Sequence, residues 1–307
     1  MRLLIAALSL AAILAGCSTA PSTPVGAASV PIQATTPAEQ PVPPRVIPKP
    51  KIALALGGGA AKGFAHIGVI RTLEANGIVP DIVVGTSAGS VVGALYAGGL
   101  SGSEMMSMIG KVNSDSIADY TFFNRGFIKG EELQSFVNKL LKGRSIEQLQ
   151  KPFAAVATDL RSGQMIVFRR GNTGMAVRAS SSVPGVFQPV SINGRDYVDG
   201  GLTSPVPVRA AKQMGADIVI AVDISSKPQN TTVNGTVDIL LQTANIMGQT
   251  ISTAELGEAD IVIRPAVGRI GSADFDSKYQ AVSAGERAAQ TALPYIRQKL
   301  ANWKGGA

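Results

Sequence analysis

Residues 82–89 read Ile-Val-Val-Gly-Thr-Ser-Ala-Gly. An apolar run stops at Gly85, and Ser87 then stands between two glycines in the pattern Gly-x-Ser-x-Gly, Gly85-Thr86-Ser87-Ala88-Gly89. Asp81 to Val84 reads as a buried strand. Ala88 to Ala97, rich in small residues and stopped by Gly98-Gly99, reads as the helix that follows. A serine on so tight a strand-to-helix turn is held up into a cleft as a nucleophile. The competing reading is a serine that only caps the helix. A nucleophilic serine ordinarily relies on a histidine base oriented by an acid, and this chain contains one histidine, His66.

Outward from this turn the pattern alternates. Ile52 to Leu56 is a short apolar run ending in glycines, and Phe64 to Asn76 reads as a helix closed by Gly77. Phe153 to Thr158, Ile218 to Val222 and Ile261 to Ile263 are further buried-strand candidates. Helical patterns fill Leu133–Leu141, Val206–Met214, Val237–Ala254 and Tyr279–Leu300. Strands alternating with helices predict an α/β domain over residues 51–307, with a mostly parallel sheet covered on both faces. No internal repeat is visible.

The two ends of the composition differ. Of 307 residues, 45% are hydrophobic and 16% charged, which describes a globular chain. Only 5% are aromatic, so base stacking on nucleic acid has no support. The net charge of +7 fits an ordinary solvated surface, and also an attraction to anionic lipid. At the N-terminus, Arg2 is followed by an apolar stretch from Leu3 to Leu14. That stretch is shorter than the about 20 residues a bilayer span requires, and it fits a signal peptide over residues 1–16. The ending Leu14-Ala15-Gly16-Cys17 resembles the bacterial lipoprotein signal, in which Cys17 becomes the lipidated first residue. An ordinary signal peptide with an incidental cysteine is the alternative. Cys17 is the only cysteine, so no intramolecular disulfide can form. Residues 18–50 hold nine of the 18 prolines, and residues 17–50 read as an extended tether behind the anchor. An aspartate after the lipidated cysteine usually retains a lipoprotein at the inner membrane. Ser18 stands there, so the expectation is a periplasm-facing protein of the outer membrane, for a Gram-negative source.

Three constellations could carry chemistry. Gly57-Gly58-Gly59-Ala60-Ala61-Lys62-Gly63 lies between a strand and a helix. Glycines let backbone N–H groups approach a ligand, and a helix N-terminus adds positive potential. Such a loop suits a phosphate cradle or an oxyanion hole, or is a tight turn with no ligand. A nucleotide P-loop needs Ser or Thr after its lysine, whereas Lys62 is followed by Gly63 and Phe64. The second constellation is the Ser87 turn. The third is Asp196-Tyr197-Val198-Asp199-Gly200-Gly201, either a hairpin turn at Asp-Gly or a base at Asp199. His66 falls inside the helix after the glycine loop, where a packed, hydrogen-bonded role fits better than that of base. One histidine and one cysteine exclude His- or Cys-rich metal sites. No calcium-loop spacing is present, and no cofactor or metal is expected. Met105, Met106 and Met108, with Tyr120–Phe123, Phe127 and Ile128, suit either a mobile cap over an acyl channel or ordinary core packing.

Taken in order, Gly57 to Ile70, Gly85 to Gly98, Ala157-Thr158-Asp159-Leu160, Arg178 to Val190 and Val198-Asp199-Gly200-Gly201 resemble the bacterial patatin-like phospholipases over roughly residues 51 to 301. The glycine loop is one residue longer than the family's shorter form and carries Lys62 where arginine is common. Ser204 precedes Pro205 where asparagine is frequent. The resemblance implies a three-layer αβα fold and an enzyme that cleaves fatty-acyl esters of membrane lipids, of phospholipase A, lysophospholipase or esterase type, with a serine–aspartate dyad. Carried over, Ser87 is the nucleophile and Asp199 the base. Gly57, Gly58, Gly59 and Ala60 supply oxyanion N–H groups. Lys62, Gly63, Gly85, Gly89, Gly200 and Gly201 support the turns, and Asp159 and Ser180–Pro184 line or buttress the site. An acyltransferase using the same acyl-enzyme, and a non-catalytic binder of a phosphorylated ligand, stay open.

Overall fold

The computed structural model describes residues 48–111, 130–225 and 235–305. The leader, Cys17, most of the tether, and Tyr120–Phe123 with Phe127 and Ile128 lie outside the described residues. The first half contains β1 (Ile52–Leu56), α1 (Phe64–Ala75), β2 (Ile82–Thr86), α2 (Ala88–Ala97), α3 (Gly102–Lys111), α4 (Glu131–Leu140) and β3 (Phe153–Asp159). There follow β4 (Met165–Phe168), α5 (Thr173–Ser180), β5 (Val190–Ile192), β6 (Arg195–Asp199) and α6 (Val208–Gln213). The last elements are β7 (Ile218–Val222), α7 (Thr236–Leu256), β8 (Ile261–Ile263) and α8 (Lys278–Ala301).

One eight-stranded sheet runs in the order β5-β6-β3-β2-β1-β7-β8, with β4 paired to β3 off this path. Strands β3, β2, β1, β7 and β8 are parallel. The β4, β5 and β6 strands join antiparallel. Side chains of β1 alternate between two cores, as a pleated strand requires. Ile52, Leu54 and Leu56 pack with Ile70, Leu73, Val92, Val282 and Ile296 from α1, α2 and α8. Ala53 and Ala55 face the other way, toward Val208, Ala210 and Ala211 of α6 and Leu256 of α7. The sheet is thus covered on both faces, a three-layer αβα arrangement. The α1 and α8 helices meet at backbone contact: a Cβ on Gly68 would sit 2.0 Å from Val282 O, and one on Gly285 2.0 Å from Ala65 O.

Several boundaries differ from the sequence expectation. The β2 strand continues to Thr86, so the serine turn begins directly at the strand end. The helix expected from Val206 starts at Val208, because Val206 precedes a proline and is disfavoured in helical conformation. The sequence patterns passed over α3, β4, α5, β5 and β6. The β4 strand is an apolar run of only four residues, half-buried throughout, and β5 has three residues, so both are short. The hairpin turn near the aspartate motif is Asn193-Gly194, with φ 52 and 74, not Asp199-Gly200. In α3, Met105 is buried in the core and Met106 packs against it.

Candidate active site

Parallel strands β1 and β2 end side by side, Leu56 level with Gly85, so the glycine loop and the serine turn leave the sheet at the same edge. Open α/β sheets place ligands at this edge. Across β3, Thr86 is level with Val156 and Asp199 with Ala157. The antiparallel β6 strand therefore delivers Asp199 at the height of the serine turn.

The backbone of Ser87 has φ 53 and ψ −124, a conformation that costs a non-glycine residue about 1–3 kcal/mol. Its side chain makes no cap hydrogen bond, so the helix-cap reading does not describe it. The crossing is tight. A Cβ on Gly89 would lie 2.1 Å from Leu56 O, and one on Gly85 2.3 Å from Gly89 O. Ser87 N–H donates to Ser180 Oγ at 2.9 Å, and Ser180 Oγ donates to Val156 O at 2.5 Å. The Thr86 hydroxyl donates to Ser204 O at 2.8 Å.

Asp199 closes β6 and is 6% exposed. Its N–H donates to Ser182 O at 2.9 Å, and the Thr158 hydroxyl donates to its carbonyl at 3.0 Å. Oδ1 accepts the Gly201 N–H at 2.7 Å, while Oδ2 is buried without a hydrogen-bond partner. Burial pushes the carboxyl up to about 6. The Gly201 N–H and the nearby Ser87 hydroxyl oppose that rise. Gly200 sits against β3, where a Cβ would meet Val156 O at 2.2 Å. The Ser180–Pro184 stretch thus anchors both Ser87 and Asp199. Asp159 instead orders the β3–β4 turn: Oδ1 accepts the N–H groups of Arg161 and Ser162, and Oδ2 lies 3.7 Å from Arg195 Nη1.

The glycine loop passes directly over the turn: a Cβ on Gly58 would lie 3.2 Å from Ser87 Cβ, and one on Gly63 2.8 Å from Ala88 Cβ. Its first two amides are already engaged. Gly57 N–H donates to Val222 O and Gly58 N–H to Pro205 O, each at 3.0 Å. Among the described residues, the Gly59 and Ala60 N–H groups have no such partner. Of the four residues expected to supply oxyanion N–H groups, these two have amides that no backbone carbonyl engages. Lys62 is 4% exposed, and burial lowers its pKa. It is buried rather than extended at the mouth of a phosphate cradle.

His66 is buried beneath the loop, where Nε2–H donates to Gly57 O at 2.8 Å. Burial lowers its pKa to about 4, against the opposing pull of that carbonyl and of Asp223. It is a neutral strut. Motif reading missed the supports Thr86, Thr158 and Ser204. Their roles depend on partners remote in sequence, and single polar residues give no local signal.

Fold and site define a three-layer α/β protein with a strained serine elbow, a buried aspartate near it and a glycine-rich loop packed against the elbow. The model of the patatin-like phospholipases matches residues 54–212, and the chain belongs to that family. It is 37% identical over 179 residues to an uncharacterised NTE family protein of Mycobacterium tuberculosis, covering 57% of this chain and 49% of that one. It is 34% identical over 198 residues to patatin-like phospholipase domain-containing protein 7 of Rattus norvegicus, covering 62% of this chain and 15% of the relative. The chain spans about half the length, or less, of the curated relatives it matches. Among solved structures, VipD from Legionella pneumophila shares the fold, with a TM-score of 0.54 and 15% identity, over 80% of this chain and 67% of that one.

Proposed function

We propose that the protein is a serine acyl hydrolase that cleaves fatty-acyl esters of membrane lipids through a Ser87–Asp199 dyad. The observation that carries this reading is the pairing of a strained, uncapped serine with a buried carboxylate whose Oδ2 has no hydrogen-bond partner. A free aspartate, with a pKa near 3.9, is a weak base for a hydroxyl. Burial raises Asp199 to about 6, and ionised Asp199 is then a stronger proton acceptor.

In the first step Ser87 Oγ attacks the acyl carbonyl carbon while Asp199 Oδ2 takes the hydroxyl proton. The carbonyl electron pair moves onto oxygen, where the Gly59 and Ala60 N–H groups stabilise it. The pair returns as the ester C–O bond breaks, and Asp199 gives its proton to the departing alcohol. Water then attacks the acyl-enzyme, its proton passing to Asp199, and the fatty acid leaves as Ser87 recovers a proton. With water excluded and an alcohol in its place, the same acyl-enzyme would transfer its chain.

Ser87→Ala and Asp199→Asn are expected to abolish hydrolysis of short and long acyl esters, and a fluorophosphonate probe to label Ser87. Full turnover in folded Ser87→Ala would overturn the reading. Adding an alcohol acceptor distinguishes transfer from hydrolysis. We further propose that lipidated Cys17 and the proline-rich tether hold the domain at the periplasmic side of the outer membrane. Unchanged membrane partitioning of Cys17→Ser would refute the anchor.

A further inference from the structure

Two consecutive carbonyls brace the two halves of the site. Ser204 O accepts the Thr86 hydroxyl at 2.8 Å, next to the nucleophile, and Pro205 O accepts the Gly58 N–H at 3.0 Å, next to the oxyanion amides. Ser204 is itself fully buried and held at two points. Its N–H donates to Gly200 O at 2.8 Å. Its hydroxyl points to Glu255, with both carboxylate oxygens 2.9 Å away. Glu255 lies in the last turn of α7 and is 1% exposed. A carboxyl in such a place is costly unless it is bonded, and neither step of the dyad chemistry uses it.

We propose that Glu255 is a positioning residue for acyl transfer at Ser87, holding Ser204 so that its carbonyl and that of Pro205 fix the serine elbow and the oxyanion loop in one register. The inference rests on the reading of Ser87 as nucleophile. Glu255 acts through hydrogen bonds alone and touches no reacting atom. Its ionised carboxylate accepts the Ser204 hydroxyl hydrogen bond, and such a charge-assisted bond is stronger than one between neutral groups. Other charged groups also bear on it. The Arg209 guanidinium and backbone N–H on α6 favour its ionised form, Glu258 just beyond α7 opposes it, and Arg209 Nε also pairs with Glu258 Oε1 at 2.7 Å. Burial is the largest influence and pushes the Glu255 carboxyl up to about 7, so the brace changes strength near neutral pH.

The test compares wild type, Glu255→Ala, Glu255→Gln, Ser204→Ala and Ser87→Ala on one soluble acyl ester, with thermal melts confirming that each folds. Glu255→Ala is expected to lose roughly 10- to 100-fold in kcat with KM within about 2-fold, because misplacement by an ångström has an effect of that order. Glu255→Gln keeps an acceptor for the Ser204 hydroxyl and is expected to recover kcat to within about 3-fold. It should also flatten the pH dependence of kcat near 7, leaving the ionisation of Asp199. If Glu255→Ala does not fold, Ser204→Ala, which keeps both carbonyls but loses the hydroxyl, is expected to show the same fall in kcat at constant KM. Wild-type kcat in folded Glu255→Ala or Ser204→Ala would overturn the proposal, as would no recovery in Glu255→Gln. The control separates the two readings. Inactive Ser87→Ala with fully active Glu255→Ala sinks the positioning role alone. Active Ser87→Ala sinks the acyl-hydrolase reading and this inference with it.

Discussion

Replacing Asp199 with asparagine should remove activity and at the same time stabilise the fold at neutral pH. Burial moves this carboxyl from 3.8 to about 6. That difference, about 2 pKa units at 1.36 kcal/mol each, corresponds to about 3 kcal/mol. The sign follows from linkage. A raised folded-state pKa means that the folded protein binds the proton more tightly than the unfolded chain. The carboxyl's contribution to stability is therefore full below 3.8 and is lost as pH rises through about 6. Asparagine carries no charge at any of these pH values. Its carbonyl can keep the Gly201 N–H bond, while its amide donors face a buried pocket at a cost of about 1–3 kcal/mol. The net effect at pH 7 is a gain of about 0–2 kcal/mol, or roughly 0–8 °C in Tm. The stability gap, taken as variant minus wild type, should rise by about 2.5 kcal/mol between pH 4 and pH 7. Urea melts of both proteins at pH 4, 5, 6 and 7 in the same salt measure that gap. Titration of Glu255 occurs in both and cancels. A gap that stays constant over this range, or shrinks as pH rises, refutes the argument that Asp199 is held above its ordinary pKa by burial.

Two further outcomes follow from the turn geometry. Gly89→Ala places a Cβ 2.1 Å from a backbone oxygen and should destabilise by more than about 3 kcal/mol, whereas Gly77→Ala, with nothing nearby and φ +71, should lose only about 1 kcal/mol; equal melting temperatures for the two would contradict the crowded crossing. His66→Ala removes the bond to Gly57 O and leaves a cavity under the loop. It should destabilise by about 2–4 kcal/mol yet retain measurable turnover in folded protein, and complete loss of kcat there would point to a chemical role for the histidine.

Local sequence determined the parts that local physics controls. The glycines at 85 and 89 and the run from 57 to 59 imply tight turns because side chains there would crowd neighbouring backbone or side chains, and such constraints are written in consecutive residues. Alternating apolar strands and helices indicated a parallel sheet, since β1, β2, β3, β7 and β8 are buried on both faces or nearly so and read as unbroken apolar runs. The strands β4 to β6 were illegible for other reasons: β4 has four half-buried residues, β5 has three, and β6 mixes charged with apolar residues. Sequence also offered Asp199 as a base only beside a hairpin reading. The turn at Asn193-Gly194 and the register of β6 against β3 exclude the hairpin at Asp199-Gly200, and the β6–β3 register depends on pairing between remote segments.

Tertiary structure alone decided the chemistry's conditions. The desolvation that raises Asp199 comes from everything packed around it, not from its neighbours in the chain. Which loop amides stay available follows from carbonyls at Pro205 and Val222, which engage Gly58 and Gly57. The bracing of Thr86 by Ser204, and of Ser204 by Glu255, links three segments that sequence keeps far apart. Ser87 and its glycines are a property of a few consecutive residues; whether that serine has a base, an oxyanion pocket and a rigid seat depends on contacts that exist only once the sheet has closed.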